Sequence, residues 1–318
     1  MKRSLFVAAL LACAALAAGA ETAPGQSAQK HTRLARHPVV ALTFDDLPAG
    51  GSLPPNDTRA RIAAALAAEL RAHRLKGVYG FVNGVDVAGD EDEQEALRTW
   101  VQAGMHIGNH TWSHPSLTDV TAQAFEQEIA RNEPVLTQYA EGRDWRWFRY
   151  PYLCEGDTLD KRRAVRGRLK EHGYRIAQVT LNFNDDDWDD AYGRCVAKKD
   201  NAAIGWLRQS YLENAAEFIR VGREEQLIAF GHEIPNVLLL HETPFTAAML
   251  PELLQLMDRQ GFRYRELAKV ERNSAYALDP DAASKDGGSL TNQFLNARHL
   301  AYPPFAPQPA EKLATICR

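Results

Sequence analysis

From residue 38 onward the chain alternates two hydrophobic patterns. Short runs rich in β-branched and other apolar residues occur at 39–44, 77–82, 105–109, 145–150, 174–181 and 237–241. Each is followed by a stretch with helical spacing of Ala and Leu among charged residues, at 57–75, 91–103, 121–139, 159–172, 202–221 and 246–260. The short runs predict buried strands and the longer stretches predict helices that cover them. Asn56 or Asp57 is expected to cap the first helix, and Pro134 to kink or split the one that contains it. Strand then helix, repeated with short connections, predicts an α/β fold with a parallel sheet. Six or seven such units in about 230 residues suit a (β/α) barrel better than an open sheet.

The ends read differently. Lys2-Arg3, an apolar run over 5–18 and Ala18-Gly19-Ala20 describe a secretory signal peptide over residues 1–20. The run is too short for a comfortable membrane span, so no transmembrane segment is expected. A buried N-terminal helix is the competing reading, and no cap supports it. A lipidated Cys13 is a third, and the apolar run continues past it. Residues 21–37 read as a linker, 38–270 as the domain, and 271–318 as a tail that packs on it. The protein is therefore expected to be secreted, to the periplasm.

Export changes the meaning of the cysteines. Cys154, Cys195 and Cys317 follow the cleavage site, and an oxidising compartment favours one disulfide, with Cys154–Cys195 the first expectation. No CxxC occurs, so neither a zinc ribbon nor a thioredoxin-type site is indicated. A net charge of −4 over 318 residues leaves no broad basic field to attract nucleic acid.

Two segments carry most of the chemistry. Thr43-Phe44-Asp45-Asp46 ends the first apolar run with adjacent carboxylates, and His110-Thr111-Trp112-Ser113-His114 holds two imidazoles at i and i+4. Carboxylates delivered at the end of a buried strand must be paired, hydrogen-bonded or metal-bound. Two nitrogen ligands, one oxygen ligand and a spare carboxylate make the inventory of an open catalytic metal site. Pro115 follows the second histidine and no amphipathic pattern surrounds the pair, which places it on a loop. Arg149 and Tyr152, Asp187 and Trp188, and His241 after Leu238-Leu239-Leu240 also follow predicted strands. In a parallel barrel the strand C-termini share one face, so these segments would converge there.

The order Thr-Phe-Asp-Asp, His-Thr-x-Ser-His, Arg-x-Pro-Tyr, Asp-Trp, Leu-x-His resembles the motifs of the polysaccharide deacetylase (NodB-homology) family, carbohydrate esterase family four, over roughly residues 38–265. The resemblance implies a distorted (β/α) barrel of about seven parallel strands and a divalent metal, usually zinc. By motif, Asp46, His110 and His114 would bind the metal, Asp45 would be the general base and His241 the general acid. Arg149 would orient Asp45, and Asp187 would tune His241 or Arg149. The backbone amide of Tyr152 would help hold an oxyanion, and Trp188 and Leu239 would line an acetyl pocket. Leu47, Asn184 and Tyr150 depart from the motifs and are expected to shape the cleft.

The implied activity is metal-dependent removal of acetyl groups from an N-acetylated glycan such as peptidoglycan or chitooligosaccharide. An acetylxylan-type esterase, a hydrolase of another small amide, and a non-catalytic carbohydrate-binding protein are the alternatives. The last would be expected to have lost Asp45 or a ligand. No GxSxG is present to support a serine-hydrolase route.

Overall fold

The structure, a computed structural model, describes residues 34–318. The expected signal peptide, Cys13 and residues 21–33 of the expected linker lie outside the described residues. The strands are β1 (Val39–Leu47), β2 (Tyr79–Val82), β3 (His106–Asn109), β4 (Trp147–Phe148), β5 (Arg175–Ile176), β6 (Asn236–His241) and β7 (Arg263–Tyr264). The helices, in chain order, are α1 (Arg59–Ala72), α2 (Gly84–Val87), α3 (Glu91–Gln102), α4 (Ala122–Tyr139), α5 (Leu159–Glu171), α6 (Asp189–Lys198), α7 (Asn201–Phe230), α8 (Pro244–Arg259), α9 (Leu267–Val270), α10 (Leu290–Ala297) and α11 (Ala310–Thr315).

Every strand pairing is parallel, in the order β5-β4-β3-β2-β1-β6, with β7 against the start of β1. The sheet curls into a half-barrel. The chain leaving β5 crosses toward β6, where Leu181 makes a single parallel bridge to Leu238. This is the α/β architecture expected from the alternating pattern. β4 and β5 are shorter than their apolar runs suggested, because each strand has only a few residues against its neighbours before the chain turns into the site.

Local chemistry accounts for the helix boundaries. Thr58, rather than Asn56 or Asp57, caps α1, its side chain accepting from Arg61 N. Helix α4 runs through Pro134 as one element, with Phe125, Ile129 and Leu136 buried. The main core fills the space between sheet and helices around Phe44, Leu66, Trp100, Leu240 and Leu253. Among the described residues no helix is long and apolar enough to cross a membrane.

Residues 271–318 pack along α7 and α6. Arg162 of α5 reaches Asp279 and Gln293, and Arg298 donates to Ala229 O. Cys195 is bonded to Cys317, with Cα atoms 5.2 Å apart, and Cys154 is free. The expected Cys154–Cys195 pair is thus corrected. Cys195 faces inward from α6, where α11 brings the chain end, whereas Cys154 is buried beside Lys285, whose carbonyl its thiol meets.

Candidate active site and metal centre

β1 delivers two aspartates, and a break in its geometry decides where they point. Asp45 lies opposite His241 in the β1–β6 register. The β1–β2 register then slips between Phe44 and Leu47, and Asp46 takes a left-handed backbone with φ 62°. Simple alternation would send the two carboxylates to opposite faces. With the turn at Asp46 both face one cleft, and each reaches the same imidazole: His110 Nε2 lies 3.7 Å from Asp45 Oδ2 and 3.5 Å from Asp46 Oδ1.

The loop after β3 carries His110 and His114, and it is strained. Thr111 has φ 70°, a value that a β-branched residue adopts only under constraint, and His114 follows with φ 56°. A buried amide network supplies the constraint. Asn109 Oδ1 accepts from Thr111 N and from Asn132 Nδ2, while Asn83 Nδ2 donates to His110 O. Nothing in the sequence marks Asn83, Asn109 and Asn132, since isolated asparagines give no pattern.

Asp46, His110 and His114 form a compact cluster whose ligand atoms all lie within 4.8 Å of one another. Several features fit a divalent ion. Asp46 Oδ1 is buried without a hydrogen-bond partner. His110 Nδ1 lies 2.8 Å from Arg149 O, which leaves Nε2 as the free lone pair when Nδ1 donates. Burial, reinforced by the neighbouring His110, pushes the pKa of His114 down to about 4, so its ring is neutral at physiological pH. Burial acts to raise Asp46, but the close His110 imidazole, with His241 and His114 nearby, outweighs it and holds the carboxyl well below the usual range. One oxygen and two imidazole nitrogens are a donor set suited to zinc.

Asp45 is held from the other side. Arg149, fully buried, donates from Nη1 to Asp45 Oδ1 at 3.2 Å, from Nη2 to Thr43 Oγ1 and from Nε to Ala177 O. His241 is gripped by Asp185: Nδ1 lies 2.7 Å from Oδ1, and the His241 backbone N–H donates to Oδ2. Thr246 donates to the same carboxylate. Burial alone would lower the pKa of His241, but Asp185 and Asp186 outweigh it and hold the ring protonated well above the ordinary value.

Three expectations need correction. The carboxylate on His241 is Asp185, not Asp187, because Asn184 in a left-handed conformation turns the following 3-10 segment so that Asp185 is buried and Asp187 faces the cleft. Trp188 lines no acetyl pocket: it is fully buried, with Nε1 donating to Ser210 Oγ and its ring edge-on to Tyr211. Of the three motif departures only Asn184 faces the cleft. Leu47 is core and presses on Gly80, where an added Cβ would lie 2.2 Å from Leu47 Cδ2, and Tyr150 is buried against Phe148. Leu239 and Tyr152 do line the cleft, the latter exposed with its ring centroid 4.5 Å from that of His114.

The cleft encloses about 510 Å³. One end is the Asp45–His241 cluster. The remainder is walled by α7 and by residues beyond 280, including Asp286, Tyr302 and Phe305.

The profile of the polysaccharide deacetylase family matches residues 33–177. A chitin deacetylase of Arthroderma benhamiae is 26% identical over 153 residues, 48% of this chain and 36% of its own length. A peptidoglycan-N-acetylglucosamine deacetylase of Bacillus cereus is 30% identical over 121 residues, 38% of each chain. This chain thus spans little more than a third of those relatives. In fold it is similar to a carbohydrate esterase family 4 pseudoenzyme from Bacillus anthracis, with a TM-score of 0.51 at 15% identity over 74% of this chain and 65% of that one. The matched segment carries β1 with its paired aspartates, the strained histidine loop and Arg149, and on that ground residues 33–177 belong to the polysaccharide deacetylase family.

Proposed function

We propose that the protein is a metal-dependent deacetylase acting on an N-acetylated glycan. The observation that carries this reading is the buried Asp45, paired to Arg149 and set in register with a protonated His241, directly beside the Asp46–His110–His114 cluster. A divalent ion in that cluster, zinc by its donors, would polarise an acetyl carbonyl and make water more acidic. Asp45 accepts the proton of the attacking water, with Arg149 fixing the carboxylate in place. The Tyr152 backbone N–H would donate to the developing oxyanion, and Leu239, which also lines the cleft, would offer the acetyl methyl an apolar wall. His241 passes its Nε2 proton to the departing nitrogen as the C–N bond breaks, so that acetate and a free amine leave. The same groups would serve a sugar acetate ester.

A binding-only role is disfavoured by the intact set of groups. The Cys195–Cys317 bond supports an extracytoplasmic location, in keeping with the expected signal peptide. The test is acetate release from chitooligosaccharide, peptidoglycan and acetylxylan, with metal content measured on the same sample. Wild type is expected to release acetate and to stop when the metal is chelated. Turnover that survives full metal removal or Asp45→Asn overturns the reading.

A further inference from the structure

The cleft is larger than an acetyl group requires. Its 510 Å³ falls within the roughly 300–1,000 Å³ of pockets that bury a whole small ligand. The extra space is bounded by a strap without helix or strand, residues 299–309, which leaves α10 and runs across α7 to α11. The strap is fastened along its length. Tyr302 OH donates to Asn296 Oδ1, Arg220 donates to Pro304 O, Ala306 N donates to Glu217, and Gln308 Nε2 donates to Phe183 O. Beyond it, Arg194 holds the carbonyls of Leu313 and Ile316, and Cys317 is bonded to Cys195. All of this lies outside the family match, which ends at residue 177.

The strap leaves two aromatic rings open to solvent on the cleft wall: Tyr302 is 43% and Phe305 52% exposed. Phe305 is braced edge-on against Phe218 of α7, with centroids 5.7 Å apart. Large exposed aromatics at the mouth of a built cleft are a flat apolar surface of the kind a sugar ring covers. Carboxylates stand beside this wall, delivered by separate segments. Glu225 of α7 is buried to 6% exposure, with Thr291 and Asn292 both donating to Oε2. Asp187 comes from the 3-10 turn and Asp286 from the loop before α10, whose Gly287 abuts the Tyr152 carbonyl. Among the described residues lining the cleft there is no lysine or arginine, and its protonated imidazole, His241, is already paired with Asp185. Burial pushes the carboxyls of Asp187 and Glu225 above the usual range, a cost that a cationic guest would relieve.

We propose that Tyr302 and Phe305, with Glu225, Asp187 and Asp286, form a subsite for a sugar unit that bears a free, protonated amine beside the unit being deacetylated. An ammonium group pairs with carboxylates and is attracted to aromatic faces, whereas an anionic glycan is repelled by the same wall. The inference rests on the deacetylase reading for its biological sense. Each acetyl group removed leaves an amine, so the product of one turnover would fit the subsite during the next.

The test separates binding from turnover. Calorimetric titration of the metal-loaded full chain is made with a glucosamine tetramer, an N-acetylglucosamine tetramer and a galacturonate tetramer, at low and high salt. The glucosamine tetramer is expected to bind about 5- to 10-fold more tightly than the acetylated one, the preference fading with salt, and the galacturonate tetramer least. Asp286→Asn and Phe305→Ala should each reduce that preference at least about 2-fold while leaving hydrolysis of 4-nitrophenyl acetate unchanged. Equal binding of the three glycans, or a preference that both variants retain, overturns the subsite even if acetate is released. Amine-selective binding without acetate release keeps the subsite and sinks the deacetylase reading instead.

Discussion

His241 Nδ1 lies 2.7 Å from Asp185 Oδ1, and the same carboxylate accepts the His241 backbone N–H through Oδ2. Asp185 therefore orients the imidazole and, with Asp186, keeps it charged. Asp185→Asn is expected to lower kcat about 10²-fold with little change in KM. The pH profile supplies the diagnostic. The acid form of His241 is lost as pH rises through its raised pKa, so removing one stabilising charge moves the basic limb of kcat to lower pH. Asp187→Asn should leave that limb in place. Equal shifts for the two variants would contradict the assignment.

Asp45 and Asp46 are neighbours with different partners, so their substitutions should fail differently. Asp45→Asn is expected to keep its metal and lose roughly 10³-fold in kcat, since Arg149 still has Thr43 and Ala177 to hold it. Asp46→Asn should instead reduce bound metal, with activity returning as metal is added. Metal analysis beside kinetics separates the two, and metal loss in Asp45→Asn would count against the division of roles.

Glu242, next to His241, is buried with neither carboxylate oxygen hydrogen-bonded, and burial pushes its pKa up from 4.5 to about 8, with Arg59 opposing only in part. The unfolded chain releases this proton near 4.5, while the folded chain keeps it to about 8. Between those values the unfolded state binds fewer protons, so this group's contribution is complete below 4.5 and declines as pH rises. Glu242→Gln should flatten the decline by about 1–3 kcal/mol. Urea midpoints measured across that window for both chains check it, and parallel curves would rule it out.

The Cys195–Cys317 bond closes a separation of 122 residues. Cys317→Ser is expected to cost about 2–4 kcal/mol in the unfolding free energy. Cys154→Ser leaves the bond intact and should stay within about 1 kcal/mol. The reverse order in thermal melts would argue for a different pairing.

Trp188 supports the site from behind, buried on Ser210 and Tyr211. Trp188→Phe should lower stability by about 1–3 kcal/mol while leaving KM for short acetylated substrates within about 2-fold. Leu239→Ala, on the cleft wall, should raise KM.

Much of this was legible in the chain because it is local. Alternating apolar runs and helical stretches follow from the side-chain periods of strand and helix, and they predicted a parallel α/β sheet. The end of each strand marks one rim, so the sequence alone groups Asp45, Asp46, His110, His114, Arg149 and His241. Asp185, Asp186 and Asp187 are indistinguishable in sequence, and only the left-handed Asn184 turns one of them inward. The same turn carries Trp188 into the core.

The sheet, its helices and the residue types on its rim follow from the chain alone, since these depend on neighbours a few positions apart. Tertiary structure alone decided which aspartate meets His241, that Cys317 rather than Cys154 reaches Cys195, and that a C-terminal strap walls the cleft. Those outcomes rest on contacts between residues more than fifty positions apart, which packing selects and periodicity does not encode.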